Sequence, residues 1–172
     1  MRRGMLLFDR DGVLNEDLAY VGTKEAIRWV DGAREAVALA QRHGLLCVVA
    51  TNQSGIARGY FDHRQFERLT DWMDQEFRAF GGHLDAVYYC PYLRFDGSTF
   101  LDCRKPAPGM VLYALRTFGV ESEHAVLFGD ADRDLEAARS ASVRAIRYTG
   151  GNLLEVVEPE IERLVRKLGV PG

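Results

Sequence analysis

The chain has 172 residues, of which 47% are hydrophobic and 27% are charged, and its formal net charge is -3. This size and balance indicate a single folded domain over residues 1–172, and they exclude a disordered or fibrous protein. Lysines and arginines are spread along the chain and form no basic run, so we expect no nucleic-acid partner. A small anionic substrate needs only a few local cations, so it is compatible with this composition.

The start of the chain carries two arginines and then only a short apolar run before charged residues resume. Signal peptides and membrane spans need longer apolar segments, so we predict a cytoplasmic protein without membrane association. We also expect a monomer. An odd number of cysteines fits no disulfide framework and is typical of a reducing compartment. The cysteines are Cys47, Cys90 and Cys103.

The first part of the chain alternates apolar runs with a helical pattern. Met5–Phe8 is a short apolar run that ends at Asp9, which is typical of a buried strand. A helical pattern over Ala33–Arg42 follows, and a glycine closes it. Residues 45–50 form a second apolar run, which ends at Thr51 and predicts a second buried strand.

The same alternation continues along the rest of the chain. Further helices are predicted over 64–80, 109–118 and 135–140, and further strands over 86–89, 125–128 and 145–148. Apolar residues at helical spacing predict that residues 151–172 form a C-terminal amphipathic helix.

Strands that alternate with helices predict a doubly wound, Rossmann-like α/β fold. Such a fold has a parallel sheet with helices on both faces, and the chain leaves little room for a separate cap domain. Ligands in these folds bind beyond the carboxyl ends of the strands. Because Asp9, Thr51 and Asp130 all follow predicted strands, we expect them to share one site.

Asp9 and Asp11 stand two residues apart after the first predicted strand, and Gly12 permits a tight turn there. In one interpretation, one carboxylate attacks as a nucleophile while the other donates and accepts a proton. The pair alone is equally compatible with two solvated turn carboxylates, because Asp and Gly are common in turns.

Residues 8–13, Phe-Asp-Arg-Asp-Gly-Val, resemble the first motif of the haloacid dehalogenase (HAD) superfamily of phosphotransferases. Thr51, Lys105 before a proline, and Asp130 followed by Asp134 resemble the three remaining motifs of that superfamily, in the same order. The resemblance implies a HAD-like fold and an enzyme of phosphate ester chemistry.

The resemblance is closer to one branch, the D-glycero-D-manno-heptose 1,7-bisphosphate phosphatases and the related histidinol-phosphate phosphatases. It extends from about residue 6 to about residue 149. The stretches that carry it are DRDGVLNED at 9–17, TNQSGIARG at 51–59, YYCP at 88–91, CRKP at 103–106 and PGM at 108–110.

This resemblance implies a Mg²⁺-dependent phosphomonoesterase. Asp9 would attack phosphorus and form an aspartyl-phosphate, while Asp11 would protonate the leaving alkoxide and then activate water. Mg²⁺ would be held by the Asp9 side chain, the Asp11 backbone carbonyl and Asp130. Thr51 and Lys105 would stabilise the charge on the transferred phosphoryl group.

Asp134 is a possible second acid, which would approach Lys105 or a metal-bound water. Each of these residues also has a plainer interpretation: Thr51 as a helix cap, Lys105 as a surface charge, and Asp134 as a carboxylate at a helix N-terminus. Their ordered positions at predicted strand ends favour the catalytic interpretation.

The resemblance places Asn52, Arg58 and Arg104 on loops beside the phosphate pocket, which makes them the candidate substrate contacts. The planar guanidinium of Arg104 can bind a second phosphate or sugar hydroxyls through two parallel hydrogen bonds, although it could instead pair with Asp102. The predicted reaction is removal of the 7-phosphate of heptose 1,7-bisphosphate. Histidinol phosphate or another small phosphorylated metabolite is an alternative substrate, and a non-catalytic HAD-like binding domain is a further alternative.

Most members of this branch carry a structural zinc bound by a Cys-x-His pair and a Cys-x-Cys pair. Here Cys90 and Cys103 remain, but Tyr92 and Leu101 stand where the other histidine and cysteine are expected. Two thiolates cannot complete a tetrahedral zinc site, so we predict no zinc. We expect apolar side chains to pack the loop instead: Tyr92, Leu93, Phe95, Phe100 and Leu101.

Overall fold

A five-stranded parallel sheet forms the centre of the structure, a computed structural model that describes residues 3–94 and 102–169. The strand order is β3-β2-β1-β4-β5. The strands are β1 Met5–Phe8, β2 Leu46–Asn52, β3 Ala86–Cys90, β4 Ala125–Gly129 and β5 Arg144–Arg147. The predicted parallel α/β fold is therefore confirmed.

The central strand β1 pairs with β2 on one side and with β4 on the other, and its last residue, Phe8, is in register with Val49 and Phe128. All four residues of β1 are buried, as expected for a continuous apolar run in a sheet covered on both faces. Because the strands run in parallel, the segments that follow them meet at one edge of the sheet.

In the described part of the chain, five α-helices connect or follow the strands. They are α1 Ala33–Arg42, α2 His63–Ala79, α3 Gly109–Phe118, α4 Asp132–Ser140 and α5 Leu153–Leu168. The start of α2 is fixed by a capping box, in which the Asp62 carboxylate accepts the Gln65 N–H and the Gln65 side chain accepts the Asp62 N–H. Gly119 ends α3 in the left-handed conformation, with φ of 62°.

The sheet separates two apolar cores. Leu6 and Phe8 face a core that includes residues of α1, α2 and α5, whereas Met5 and Leu7 face a core that includes residues of α3 and α4. This alternation along β1 places helices on both faces of the sheet, as predicted. The buried stripe of α5 belongs to the first core, through Leu153, Val157, Ile161 and Leu164.

Predicted and observed elements agree closely, with two differences that affect the site. The strand β2 continues through Thr51 to Asn52, so these polar residues lie within the strand and not after it. The helix α4 begins at Asp132, three residues before the predicted start. Its first turn consists of polar residues, and the Asp134 carboxylate stabilises it by accepting the Ala131 N–H over 3.1 Å. Apolar periodicity alone could not detect such a turn.

Cys90 and Cys103 form a disulfide, with their Cα atoms 5.4 Å apart. The expectation that the cysteines form no disulfide was wrong, because an odd count still permits one pair and leaves Cys47 as a buried free thiol. The bond joins the end of β3 to the segment before α3. The carboxylate of Asp102 lies with the two sulfur atoms, all within 4.8 Å of one another.

The expected apolar packing of the loop after β3 is contradicted where the structure describes it. Tyr92 is 63% exposed and Leu93 is 43% exposed, so neither side chain is packed in a core. The disulfide, and not these side chains, anchors the described ends of the loop. Phe95, Phe100 and Leu101 lie outside the described residues.

No helix in the described ranges 3–94 and 102–169 has both the length and the apolar character to cross a membrane.

Candidate active site

Asp9 follows β1 at the edge of the sheet and is buried, with 4% of its surface exposed. Lys105 Nζ donates a hydrogen bond to Asp9 Oδ1 over 2.9 Å. Burial raises the pKa of Asp9 to about 7, against the lowering effect of the Lys105 charge and with a further rise from Asp134. The ionised form of such a carboxyl group can act as a nucleophile.

The Asp11 carboxylate is held by donors from three residues. Arg10 Nη2 lies 2.9 and 3.0 Å from its two oxygens, Asn15 Nδ2 donates to Oδ1 over 2.9 Å, and Gln53 Nε2 donates to Oδ2 over 2.8 Å. Arg10 is itself buried and donates to the Val21 carbonyl over 2.7 Å. These contacts fix the orientation of the Asp11 carboxylate, which a group that passes protons to a substrate requires.

Lys105 Nζ lies between two buried carboxylates. It is 2.9 Å from Asp9 Oδ1 and 2.7 Å from Asp134 Oδ1, and it also donates to the Ala50 carbonyl over 2.7 Å. Burial alone would lower the pKa of Lys105, but the two carboxylates outweigh it and raise this pKa. Lys105 therefore remains charged, and the interpretation of Lys105 as a surface residue is contradicted by its burial.

Asp9, Asp130 and Asp134 can each offer one carboxylate oxygen to a common centre, and these three oxygens lie within 4.8 Å of one another. Asp130 Oδ1 is buried and accepts no hydrogen bond from the described residues. Burial and the Asp134 charge raise the pKa of Asp130. Clustered carboxylates with an unsatisfied oxygen fit a hard divalent cation such as Mg²⁺, which prefers oxygen ligands. The Asp11 carboxylate accepts hydrogen bonds from its neighbours, such as Gln53, and contributes no side-chain oxygen to this group.

Gly12 lies against the Asp130 carboxylate. Its φ is 87°, and a Cβ atom added there would lie 2.1 Å from Asp130 Oδ2. A residue with a side chain would displace Asp130, so the glycine is required by this close approach as well as by the turn.

Thr51 and Asn52 end β2 beside Lys105. Thr51 is 1% exposed, and its Oγ1 accepts a hydrogen bond from Gln53 Nε2 over 3.0 Å, so it does not cap a helix. The Asn52 amide makes two hydrogen bonds to the backbone of Lys105, each 3.0 Å long. Asn52 therefore fixes the loop that carries Lys105.

A pocket of about 310 Å³ adjoins these groups. Its lining combines acidic residues with all three candidate substrate contacts and with one arginine that the sequence analysis missed. These residues are Asp9, Asp11, Asp17, Asn52, Arg58, Arg104 and Arg133. An anionic substrate can therefore approach Asp9 along a wall that carries positive charge.

Arg104 lies in this wall without an ion pair to Asp102. Its Nη1 donates to the Tyr92 carbonyl over 2.9 Å, whereas the Asp102 carboxylate accepts the backbone N–H of Arg104 over 2.8 Å. The two side chains therefore form no ion pair. Burial lowers the pKa of Arg104, and the nearby charges of Arg133 and Arg58 lower it further, whereas the Asp102 charge acts on the guanidinium in the opposite direction.

Sequence reasoning did not identify Arg10, Gln53 or Arg133 as site residues. Arg10 stands between the two predicted acids, and Gln53 lies two residues after Thr51, so proximity in sequence was an available signal. For Arg133 the only signal was its position between Asp130 and Asp134, which does not predict the direction of a helical side chain.

Comparisons with known proteins point to the same chemistry as the geometry. The HAD-hydrolase-like family model matches residues 102–162. A D-glycero-beta-D-manno-heptose-1,7-bisphosphate 7-phosphatase from Vibrio cholerae is 42% identical over 147 residues, which cover 83% of this chain and 79% of that protein. The phosphatase of the same name from Rhodopseudomonas palustris is 35% identical over 157 residues, covering 88% of this chain and 87% of that protein.

A solved structure extends the similarity to the fold. The crystal structure of D,D-heptose 1,7-bisphosphate phosphatase from B. bronchiseptica, complexed with magnesium and phosphate, matches with a TM-score of 0.81 and 30% identity. The match covers 95% of this chain and 99% of that chain. The similarity therefore extends well beyond the short motifs.

Proposed function

Because this chain belongs to the heptose-1,7-bisphosphate 7-phosphatase family of HAD hydrolases, we propose that it removes the 7-phosphate of D-glycero-D-manno-heptose 1,7-bisphosphate. It is a phosphoric monoester hydrolase by family membership. The observation that carries the substrate proposal is the pocket that joins Asp9 and Asp11 to a wall of arginines. A sugar with two phosphates suits this combination, since one phosphate reacts while the other is neutralised.

In the proposed reaction, an ionised Asp9 oxygen attacks phosphorus and the bond from phosphorus to the C7 oxygen breaks. Asp11 gives its proton to that oxygen, which leaves as a hydroxyl group. Asp11 then takes a proton from water as the water attacks the aspartyl-phosphate, and this step releases inorganic phosphate and restores Asp9. Lys105 favours the ionised form of Asp9, and Thr51 and Lys105 stabilise negative charge on the phosphoryl oxygens.

We propose Mg²⁺ as the cofactor, held by the carboxylates of Asp9 and Asp130 and by the Asp11 backbone carbonyl, with Asp134 as the second acid beside Lys105. When bound, Mg²⁺ would orient the phosphate and offset its negative charge. The buried, unsatisfied Asp130 oxygen supports this assignment.

We propose that the chain holds no structural zinc. A closed zinc site needs four ligands, whereas residues 3–94 and 102–169 bring together three, Cys90, Cys103 and Asp102, and the two sulfur atoms are joined to each other. The disulfide performs the anchoring that a metal would otherwise provide.

Histidinol phosphate is the second candidate substrate. It carries an ammonium group, which the guanidinium groups of Arg58, Arg104 and Arg133 would repel. The arginine wall therefore favours a substrate with a second anionic group.

We propose that the enzyme acts as a cytoplasmic monomer on a small metabolite, without nucleic-acid or membrane partners. The Cys90–Cys103 disulfide removes the cysteine argument for a reducing compartment, so the cytoplasmic proposal rests on the short apolar run at the start of the chain. The net charge of -3 disfavours an anionic polymer or membrane surface. The apolar stripe of α5 is used in the protein's own core, so it offers no surface to a second copy. Light scattering on the purified protein tests the monomer.

Phosphate release from heptose 1,7-bisphosphate and histidinol phosphate, compared as kcat/KM with Mg²⁺ and with EDTA, tests the function. We expect a preference of about a hundredfold or more for the bisphosphate, roughly 2.7 kcal/mol in transition-state binding, and no turnover in EDTA. Equal turnover of both substrates would reject the heptose assignment and keep the mechanism.

Asp9→Asn tests the mechanism itself, because an amide cannot form the aspartyl-phosphate. Turnover should fall at least about a thousandfold while the thermal unfolding curve keeps its shape. Asp71→Asn, an exposed change on α2, is the matched control and should leave turnover unchanged. Activity in Asp9→Asn equal to that of the control would eliminate Asp9 as the nucleophile.

A further inference from the structure

Three arginines line the pocket from three separate segments. Arg58 comes from the segment after β2, Arg104 from the segment before α3, and Arg133 from the first turn of α4. The fold therefore brings together positive charges that are distant in the sequence. Arg58 and Arg104 belong to stretches of the family resemblance, whereas Arg133 lies between the two acids of the last motif without being one of the residues that carry it.

The acidic residues on either side of Arg133 are engaged elsewhere. Asp132 is paired with Arg147, and Asp134 is buried against Lys105 at 2.7 Å. Arg133 makes no ion pair or hydrogen bond with a described residue. Among the described residues its guanidinium is thus a pocket cation without a paired carboxylate, although its charge acts on Asp130 through space and opposes the rise that burial gives the pKa of that carboxyl group.

The guanidinium groups of the other two arginines already contact groups of the protein. Arg104 Nη1 donates to the Tyr92 carbonyl over 2.9 Å, and the Arg58 guanidinium lies 5.5 Å from the centre of the Tyr20 ring. Asp17 is the further acid in the lining, and its Oδ1 accepts the Ala19 N–H over 3.1 Å. Of the three guanidinium groups, that of Arg133 is consequently the most available for a ligand.

The three cations act on one another through space. Burial lowers the pKa of Arg104 most, and the charges of Arg133 and Arg58 lower it further, so the Arg104 guanidinium is repelled by both of the other arginines in the pocket lining. An anion placed among them would remove this repulsion. A phosphate monoester, with a charge of about -1.5 to -2 at neutral pH, compensates three cations better than a carboxylate does.

We propose that Arg133 is a specificity-determining residue, which binds the phosphate that stays on the product. The inference rests on the proposed function, because it presupposes a substrate with two phosphates. It adds to that function a residue of α4 that binds the second phosphate. The same helix carries Asp134. Arg133 takes no part in the bond-breaking step.

The test compares two substrates that differ only in the phosphate that is not cleaved, heptose 1,7-bisphosphate and heptose 7-phosphate. In Arg133→Ala, kcat/KM for the bisphosphate should fall about ten- to hundredfold, mainly through a higher KM. For the 7-phosphate, kcat/KM should change less than about twofold. Arg133→Lys should restore part of the loss, because it keeps the charge and loses the planar fork.

Arg139→Ala, which removes an exposed arginine from the last turn of the same helix, is the matched control and should behave like the wild-type protein. Equal losses for both substrates in Arg133→Ala would mean a structural role and would overturn the inference. An unchanged kcat/KM for the bisphosphate would overturn it as well.

Failure of the proposed function is recognised separately, in the wild-type protein. If heptose 1,7-bisphosphate is not turned over, the same variants are measured on the best bisphosphate from a panel of sugar bisphosphates and on its monophosphate. A selective loss on that bisphosphate supports the role of Arg133. A wild-type enzyme that hydrolyses p-nitrophenyl phosphate and prefers no bisphosphate over its monophosphate overturns it.

Discussion

Gln53 holds the Asp11 carboxylate in place without being able to take part in the chemistry. Its Nε2 atom lies 2.8 Å from Asp11 Oδ2 and 3.0 Å from Thr51 Oγ1, and the side chain is buried. One amide group therefore links the proposed proton donor to a proposed phosphate contact. The position of Asp11 relative to Asp9 depends on this link and on Arg10 and Asn15.

We predict that Gln53→Leu lowers kcat by about tenfold, because Asp11 loses one of its donors and its orientation is less well fixed. The effect should appear in kcat more than in KM, since Gln53 is not a predicted contact of the substrate. Steady-state kinetics at saturating Mg²⁺ give both constants, and thermal unfolding shows whether the variant is folded. An unchanged kcat in a folded variant would show that Arg10 and Asn15 suffice.

At the scale of elements, the segment before α3 carries Arg104 and Lys105 and is attached to the sheet at two points. Asn52 at the end of β2 holds the Lys105 backbone through two hydrogen bonds, and the disulfide joins Cys103 to Cys90 at the end of β3. The proposed catalytic residue Lys105 and the proposed substrate contact Arg104 are thus held in place by the neighbouring strands β2 and β3. Loss of either attachment should loosen the substrate wall before it affects β1.

We predict that Cys103→Ser lowers the free energy of unfolding by about 2–3 kcal/mol in non-reducing buffer, because the unfolded chain is no longer constrained over a sequence separation of 13 residues. Guanidinium unfolding with and without dithiothreitol measures this effect. Reductant should destabilise the wild-type protein and leave the variant unchanged. Titration of three free thiols in the air-oxidised wild-type protein would contradict the disulfide.

For the whole molecule, apolar runs and closing glycines were sufficient to predict the sheet, its helices and the edge where Asp9 and Asp130 meet. Burial drives these features, and burial is visible in a one-dimensional pattern. Contacts made by polar side chains are not visible in this way. The disulfide depends on where a loop returns to β3, and the place of Arg133 in the pocket depends on the direction of one helical side chain.

The attachment of the C-terminal helix belongs to the same class of contacts. Apolar spacing predicted α5, but the sequence did not show that Glu160 on α5 reaches Arg144 on the edge strand β5. Glu160 oxygens accept hydrogen bonds from Arg144 Nε at 2.9 and 3.0 Å and from Arg163 Nε at 2.6 Å. This buried carboxylate ties the last helix of the chain to the sheet.

Acid should weaken this tie. Burial alone would raise the pKa of Glu160, but the hydrogen bonds from Arg144 and Arg163 outweigh it and hold this pKa below the usual 4.5. A carboxyl group whose pKa is lower in the folded state stabilises the protein above pH 4.5, and its contribution is lost as the pH falls through the folded-state pKa.

We predict that Glu160→Gln lowers the free energy of unfolding by about 1–2 kcal/mol at pH 7 and that the difference from wild type vanishes in acid. Urea unfolding across this range measures it, with Glu162→Gln, an exposed pair member, as a control that changes little. A deficit in Glu160→Gln that is equally large in acid would assign the loss to packing and not to charge.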